Sequence, residues 1–336
     1  VTGTAGMHPA RRRIWQRRDL WISLGLFVLF VLGLAGLIST TGDVDVMALL
    51  GTVDGPKLAL LLALSLVNYT FRGLRWHLFA TRMGLGTSLM QNMRHFLGGF
   101  ALTVTPARLG ELVRMRWIYR ETGVPLAGSA PMALMDRASD LAGNGILLAL
   151  ALALSTTGIA GGGIVAVLAL VMAWVFTRPN LLATLTGWAY RLIGRGARFF
   201  ARLRRAVRDL SRFSDWRIAL PAMALSVAGW FAEGAAFGLL LGWMGSDIGL
   251  WTAVAIFVFS MLTGGATGAP GGLGGAEGAM IGLLLLQGMP FDQAVTATAL
   301  IRLVSLWFAI LVGFAVFPVA NRLSRKGAYA LENGDL

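Results

Sequence analysis

Residues 20–38, LWISLGLFVLFVLGLAGLI, carry no charge and are long enough to cross the roughly 30 Å hydrocarbon core of a bilayer as a helix. Five further apolar stretches of comparable character follow, at about 58–80, 131–156, 160–177, 218–243 and 294–318. Two more, 95–106 and 251–287, are interrupted by glycine and proline and read as broken helical hairpins, either re-entrant or fully crossing. Between 181 and 213 the pattern changes. Leu185, Trp188, Leu192, Phe199, Leu203, Val207 and Leu210 recur at helical spacing, with Arg191, Arg195, Arg198, Arg202, Arg205 and Arg212 on the other faces. Such a helix lies on the inner leaflet with its cations over anionic headgroups, and it serves equally as a connector between two halves. The predicted fold is an all-α polytopic membrane protein of about six full spans plus two broken hairpins.

Composition agrees. The 336 residues are 56% hydrophobic and only 13% charged, about half the charge fraction of a soluble domain. Cysteine is absent and histidine occurs three times, which excludes disulfides and thiol chemistry and leaves too few ligands for a usual zinc site. No metal and no cofactor are called for. The net charge of +13 raises nucleic acid as a partner, but its distribution argues otherwise. Arg11, Arg12, Arg13, Arg17 and Arg18 precede the first span, Arg72, Arg75, Arg82 and Arg94 follow the second, and Arg322, Arg325 and Lys326 follow the last. The alternate loops hold Asp43, Asp45, Asp54, Asp247 and Asp292, with Lys57 their only cation. The positive-inside rule then puts both termini in the cytoplasm. The layout is a basic segment 1–19, one membrane domain 20–320 and a tail 321–336. The first apolar segment lacks a small-residue cleavage site and reads as a retained anchor.

The chain also repeats itself. TVTPARLGELVR (103–114) and TGAPGGLGGAEG (267–278) share a proline, then Leu-Gly, then a glutamate: Pro106, Leu109, Gly110, Glu111 against Pro270, Leu273, Gly274, Glu277. Downstream, ALMDRASDL (133–141) resembles ALIRLVSLW (299–307), which aligns Arg137 with Arg302. Three predicted spans separate the two proline motifs, so the second unit (218–318) is inverted relative to the first (58–156). Inverted-topology repeats place a transported substrate at their interface. The flanking charges put the first broken segment on the cytoplasmic side and the second on the outer side.

Proline suits the first turn of a helix, so Pro106 and Pro270 are predicted to begin short half-helices whose N-termini favour a phosphate or carboxylate. Gly271, Gly272, Gly274 and Gly275 allow close approach of a headgroup or, equally, tight helix packing. A nucleotide loop is excluded by the missing Gly-Lys-Ser/Thr ending. Glu111, Asp136, Arg137, Asp140, Glu233, Glu277 and Arg302 fall in or beside apolar segments, where each is costly unless paired or hydrated. Five acids against two bases leave three negative charges in excess. The expectation is that Arg137 and Arg302 hold a lipid phosphate while Glu277 or Glu111 exchanges a proton or a cationic headgroup. Arginine–acid pairs that merely lock the repeats are the competing expectation. Arg72 and Arg75, beside Trp76, are expected at the cytoplasmic entrance, as snorkelling anchors or first contacts to lipid phosphates.

RGLRW after the second span, then TPARLGELVR, then APGGLGGAEG, then an arginine in the last span resemble the flippase-like family, the transmembrane region of lysylphosphatidylglycerol synthases, over about 58–318. The resemblance implies a helical domain that moves a lipid between leaflets, an aminoacylated phosphatidylglycerol in the fused bacterial enzymes and other lipids in stand-alone members. By position, Arg108, Gly110, Glu111 and Arg114 fit the first family motif, and Pro270, Gly271, Gly272, Gly274 and Glu277 the second. No aminoacyl-transferase domain follows, so a separate lipid-synthesising enzyme is an expected partner. The reading is therefore a lipid flippase or scramblase of the bacterial inner membrane. It is not an enzyme, its partners are membrane lipids and no nucleic acid, and a homo-oligomer is compatible with it. The alternative is a proton-coupled small-anion transporter of similar architecture. An opening toward the bilayer, rather than a closed aqueous vestibule, separates the two.

Overall fold

In a computed structural model the described residues are 53–105, 109–159, 161–176, 178–193 and 215–333, together with the single positions 25, 28 and 51. Apart from Gly25 and Val28 the apolar segment 20–38 lies outside them, as do Pro106, Arg108 and the arginine-rich stretch from 194 to 214. Every regular element among the described residues is helical. In chain order they are α1 (Gly55–Arg82), α2 (Leu89–Gly99), α3 (Leu109–Thr122), α4 (Leu126–Leu154), α5 (Gly162–Phe176), α6 (Pro179–Ile193), α7 (Trp216–Trp243), α8 (Leu250–Ala266), α9 (Gly275–Leu286), α10 (Phe291–Arg302) and α11 (Phe308–Asn333). A π-helical turn, Leu303–Trp307, joins α10 to α11, so the last apolar segment continues well past residue 318.

Helix boundaries follow local chemistry. Asp54 caps α1 by accepting the Lys57 N–H at 2.9 Å, with a proline in the first turn. Ser88 and Gln91 close a reciprocal capping box on α2 at 3.2 and 2.7 Å. Among the described residues, four helices are long and apolar enough to cross a membrane: 55–82, 126–154, 216–243 and the continuous 291–327. The segment expected at 160–177 forms only the 15-residue α5, about 22 Å long and short of the hydrocarbon thickness. The chain is an all-α membrane protein with several membrane-crossing helices.

The two glycine-interrupted segments behave alike. In the first, α2 runs into a 3₁₀ turn (Phe100–Leu102) and, beyond the tip, returns as α3. In the second, α8 runs to Ala266, a 3₁₀ turn covers Pro270–Gly272, and α9 returns. Glycine lets the legs touch: a methyl on Gly110 would strike the Gly99 carbonyl, and one on Gly264 would lie 2.8 Å from the Ala276 nitrogen. The first pair of legs packs against α11, and α8 packs against α4 and α7, so each half of the chain grips the other. The tips meet, with a methyl at Gly271 falling 3.1 Å from Val104, which shares an apolar cluster with Leu273, Leu306 and Trp307. α8 lies in the centre; Ala253 through Val258 are all fully buried, as a helix apolar on every face requires.

Candidate functional site

The inward face of α1 carries Tyr69, Arg72, Arg75, Trp76 and Phe79 at helical spacing. Arg75 is completely enclosed, which overturns its expected place at the entrance. Its Nε and Nη2 donate to Asp136 Oδ1 at 3.0 and 2.6 Å, Nη2 also to Asp140 at 2.8 Å, and Nη1 to Ser226 Oγ at 2.9 Å. Ser226 passes the chain on to the Ser139 carbonyl at 2.8 Å, so α1, α4 and α7 share one polar knot. Arg72 is nearly as enclosed. It donates to Asp140 Oδ2 at 3.0 Å and stacks over Trp230 at 5.1 Å, while Trp230 Nε1 donates to Asp140 at 3.1 Å. A carboxylate pair one helical turn apart on α4 is therefore neutralised by two arginines of α1.

Two further ion pairs sit at matching places. Glu111, in the first turn of α3, accepts from Arg137 of α4, with Nε at 2.7 Å. Glu277, in the first turn of α9, accepts from Arg302 Nε of α10 at 2.6 Å. The partners are 26 and 25 residues apart, so the two proline motifs make the same contact with the next helix. The second pair does more. Glu277 Oε2 also accepts the Gly274 N–H at 2.7 Å, and Arg302 Nη2 donates to the Gly271 carbonyl at 3.0 Å. Gly271, at φ 64°, turns that carbonyl inward in a conformation costly for any residue with a side chain. This corrects the expected half-helix. Pro270 opens only a 3₁₀ turn, the helix proper starts at Gly275, and its first free N–H is taken by Glu277. Glu277 and Glu111 are both committed to arginines.

These groups surround a cavity of about 450 Å³. Arg72, Arg114, Arg137 and Arg302 line it, as do Glu111, Asp140 and Glu233, with Gly271 and Gly272 from the second tip and Gly99 and Gly110 from the first. Arg75, Asp136 and Glu277 stand behind this wall, each hydrogen-bonded to one of its residues or to Asp140's partner set. Gly274 does not reach the cavity, and Arg108 is outside the described residues. With Arg72, Arg75 and Arg114 inside, the buried acids Asp136, Asp140 and Glu233 and the half-buried Glu111 and Glu277 face five arginines rather than two. The expected excess of three negative charges disappears.

Two charged groups of the wall stand apart. Arg114 is 5% exposed and has no carboxylate or hydrogen-bond acceptor among the described residues; its guanidinium lies 4.1 Å from the ring centre of Phe96, with Phe100 and Trp76 at 5.5 and 5.6 Å. Glu233 of α7, also 5% exposed, has neither an ion pair nor a hydrogen bond among the described residues. The apolar part of the wall includes Met172 of α5, which is 47% exposed, beside the outward-facing Val167, Leu168 and Val171. The cavity thus reaches a helix whose surface is apolar. Tyr69 and Trp230, aromatic members of the wall, were not singled out by sequence; the signal for Tyr69 was its i, i+3 spacing to Arg72.

The chain matches the family described as the lysylphosphatidylglycerol synthase TM region over residues 20–313. It is similar to a UPF0104 membrane protein of Methanothermobacter thermautotrophicus, 25% identical over 320 residues that cover 87% of this chain and 94% of that relative.

Proposed function

The chain belongs to the family of the lysylphosphatidylglycerol synthase transmembrane region, membrane proteins linked to lipid handling, and on that footing we propose that it moves a phosphate-bearing lipid between leaflets. The observation that carries this reading is the cavity: cationic and anionic groups inside, and an edge at Met172 that meets an apolar, bilayer-facing helix. A headgroup occupies the charged interior while its acyl chains stay against α5. A small-anion transporter has no use for that edge. The two broken segments are re-entrant hairpins of an inverted repeat, a reading supported by the matched Glu111–Arg137 and Glu277–Arg302 pairs and by the contact between the tips. The activity is translocation without bond chemistry, in the cytoplasmic membrane of a bacterium, with membrane lipids as partners.

Reconstitution tests it. Purified protein in vesicles carrying chain-labelled lipids of several headgroup classes is assayed for the label reachable by an impermeant quencher. Exchange above that of empty vesicles, for at least one phosphate-bearing lipid, is the expected result. A folded protein that exchanges none of them, yet takes up inorganic phosphate, replaces this reading with the anion transporter.

A further inference from the structure

Arg114 and Glu233 are the two charged side chains of the cavity wall that make neither an ion pair nor a hydrogen bond with another described residue, and they are opposite in sign. Each is more than nine-tenths buried. A lone buried charge is expensive, and proteins keep one where something else supplies the partner. Every other carboxylate around the cavity already accepts from an arginine: Glu111 from Arg137, Asp136 from Arg75, Asp140 from Arg72 and Arg75, Glu277 from Arg302. Arg114 donates to none of them: its guanidinium sits among the rings of Phe96, Phe100 and Trp76, 4.1–5.6 Å from their centres, with Nε buried and unpartnered among the described residues.

We propose that the cavity selects a headgroup bearing one phosphate and one ammonium, neutral overall, with the phosphate on Arg114 and the ammonium on Glu233. This rests on the lipid-translocation reading above and narrows it. A phosphate alone satisfies Arg114 and leaves Glu233 bare. A headgroup with two ammonium groups brings one more cation than the cavity has free carboxylates. An amine-bearing phosphoglyceride of the phosphatidylethanolamine type matches both. A soluble glycerophosphoethanolamine carries the same chemistry without the chains, and the experiment separates the two.

The full chain is reconstituted in phosphatidylglycerol vesicles with trace chain-labelled phosphatidylethanolamine or phosphatidylglycerol. Uptake of radiolabelled glycerophosphoethanolamine is measured in parallel. The expected result is exchange of the amine-bearing lipid about tenfold faster than of phosphatidylglycerol, the worth of one charge-assisted contact. Glu233→Gln brings the two rates together by slowing only the amine-bearing lipid. Glu233→Asp, which keeps the charge, retains a preference and guards against a variant that merely misfolds. Equal wild-type rates, or a preference unchanged in Glu233→Gln, overturn the proposal and leave lipid translocation standing. Uptake of the soluble compound with no lipid exchange overturns both, as does a folded protein that moves neither.

Discussion

Replacing Arg75 with methionine removes the centre of the polar knot and keeps much of its volume. Three hydrogen bonds to carboxylates are lost, two to Asp136 and one to Asp140, at about 1.5–3 kcal/mol each. Against that gross loss of roughly 5–9 kcal/mol stands the relief of no longer desolvating a guanidinium, several kcal/mol in itself. Asp140 keeps Arg72 and Trp230, at 3.0 and 3.1 Å. Asp136 keeps nothing among the described residues and is left as a bare buried carboxylate. The net cost should therefore be about 3–5 kcal/mol, the range for breaking one side of a buried pair. Unfolding by an anionic detergent, followed through tryptophan fluorescence, reports it as a midpoint shifted to lower detergent. Arg75→Met combined with Asp136→Leu removes the orphan as well and should recover to within about 1–2 kcal/mol of the parent. A single variant as stable as the parent, or a double variant worse than the single, would refute the reasoning.

Three other outcomes follow from the same geometry. Gly110→Ala drives a methyl into the Gly99 carbonyl and should cost about 1–3 kcal/mol, whereas Gly278→Ala, in α9 with open space around it, should be neutral or gain up to about 1 kcal/mol; thermal unfolding in mild detergent compares them. Arg114→Lys keeps the charge but loses the guanidinium set 4.1 Å from the Phe96 ring centre, and should slow exchange of amine-bearing and amine-free lipids alike by a free energy of about 0.5–2 kcal/mol. Because the chain has no cysteine, Val104→Cys with Leu273→Cys should cross-link within the monomer under mild oxidation, and failure to do so argues against contact between the two tips.

Much of the architecture was legible as periodicity and interruption. Uncharged runs gave the long helices, and glycine with proline marked where 95–106 and 251–287 break. The length of α5 was not legible, because an apolar run shows where a helix can continue and not where Gly161 and Ser155 bend the chain around it. The acids of the site were readable as costly charges in apolar segments. Their partners were not, since Arg72 and Arg75 stand near the end of a span, where the snorkelling rule assigns them to the interface. Only packing shows that α7 lies alongside and seals them in. The Glu111–Arg137 and Glu277–Arg302 contacts were implicit in the internal repeat, but a repeat of spacing does not say which acid meets which base. Arg114 entered through a family motif alone, and its setting among Phe96, Phe100 and Trp76 joins three elements that no local pattern connects.

The equal numbers of arginines and acids around the cavity have an electrical meaning. A membrane potential does work of about 2.3 kcal/mol on each unit of net charge that crosses 100 mV. Had the interior held three surplus negative charges, any rocking of the two halves would have dragged them through that field, and the resting voltage would favour one orientation. Five guanidinium groups against five carboxylates cancel formally, and a headgroup that is itself neutral leaves the sum unchanged. On the lipid-translocation proposal, the voltage then gains no hold through these groups on either the empty or the loaded protein, and the lipid concentrations in the two leaflets are expected to set the direction of net movement.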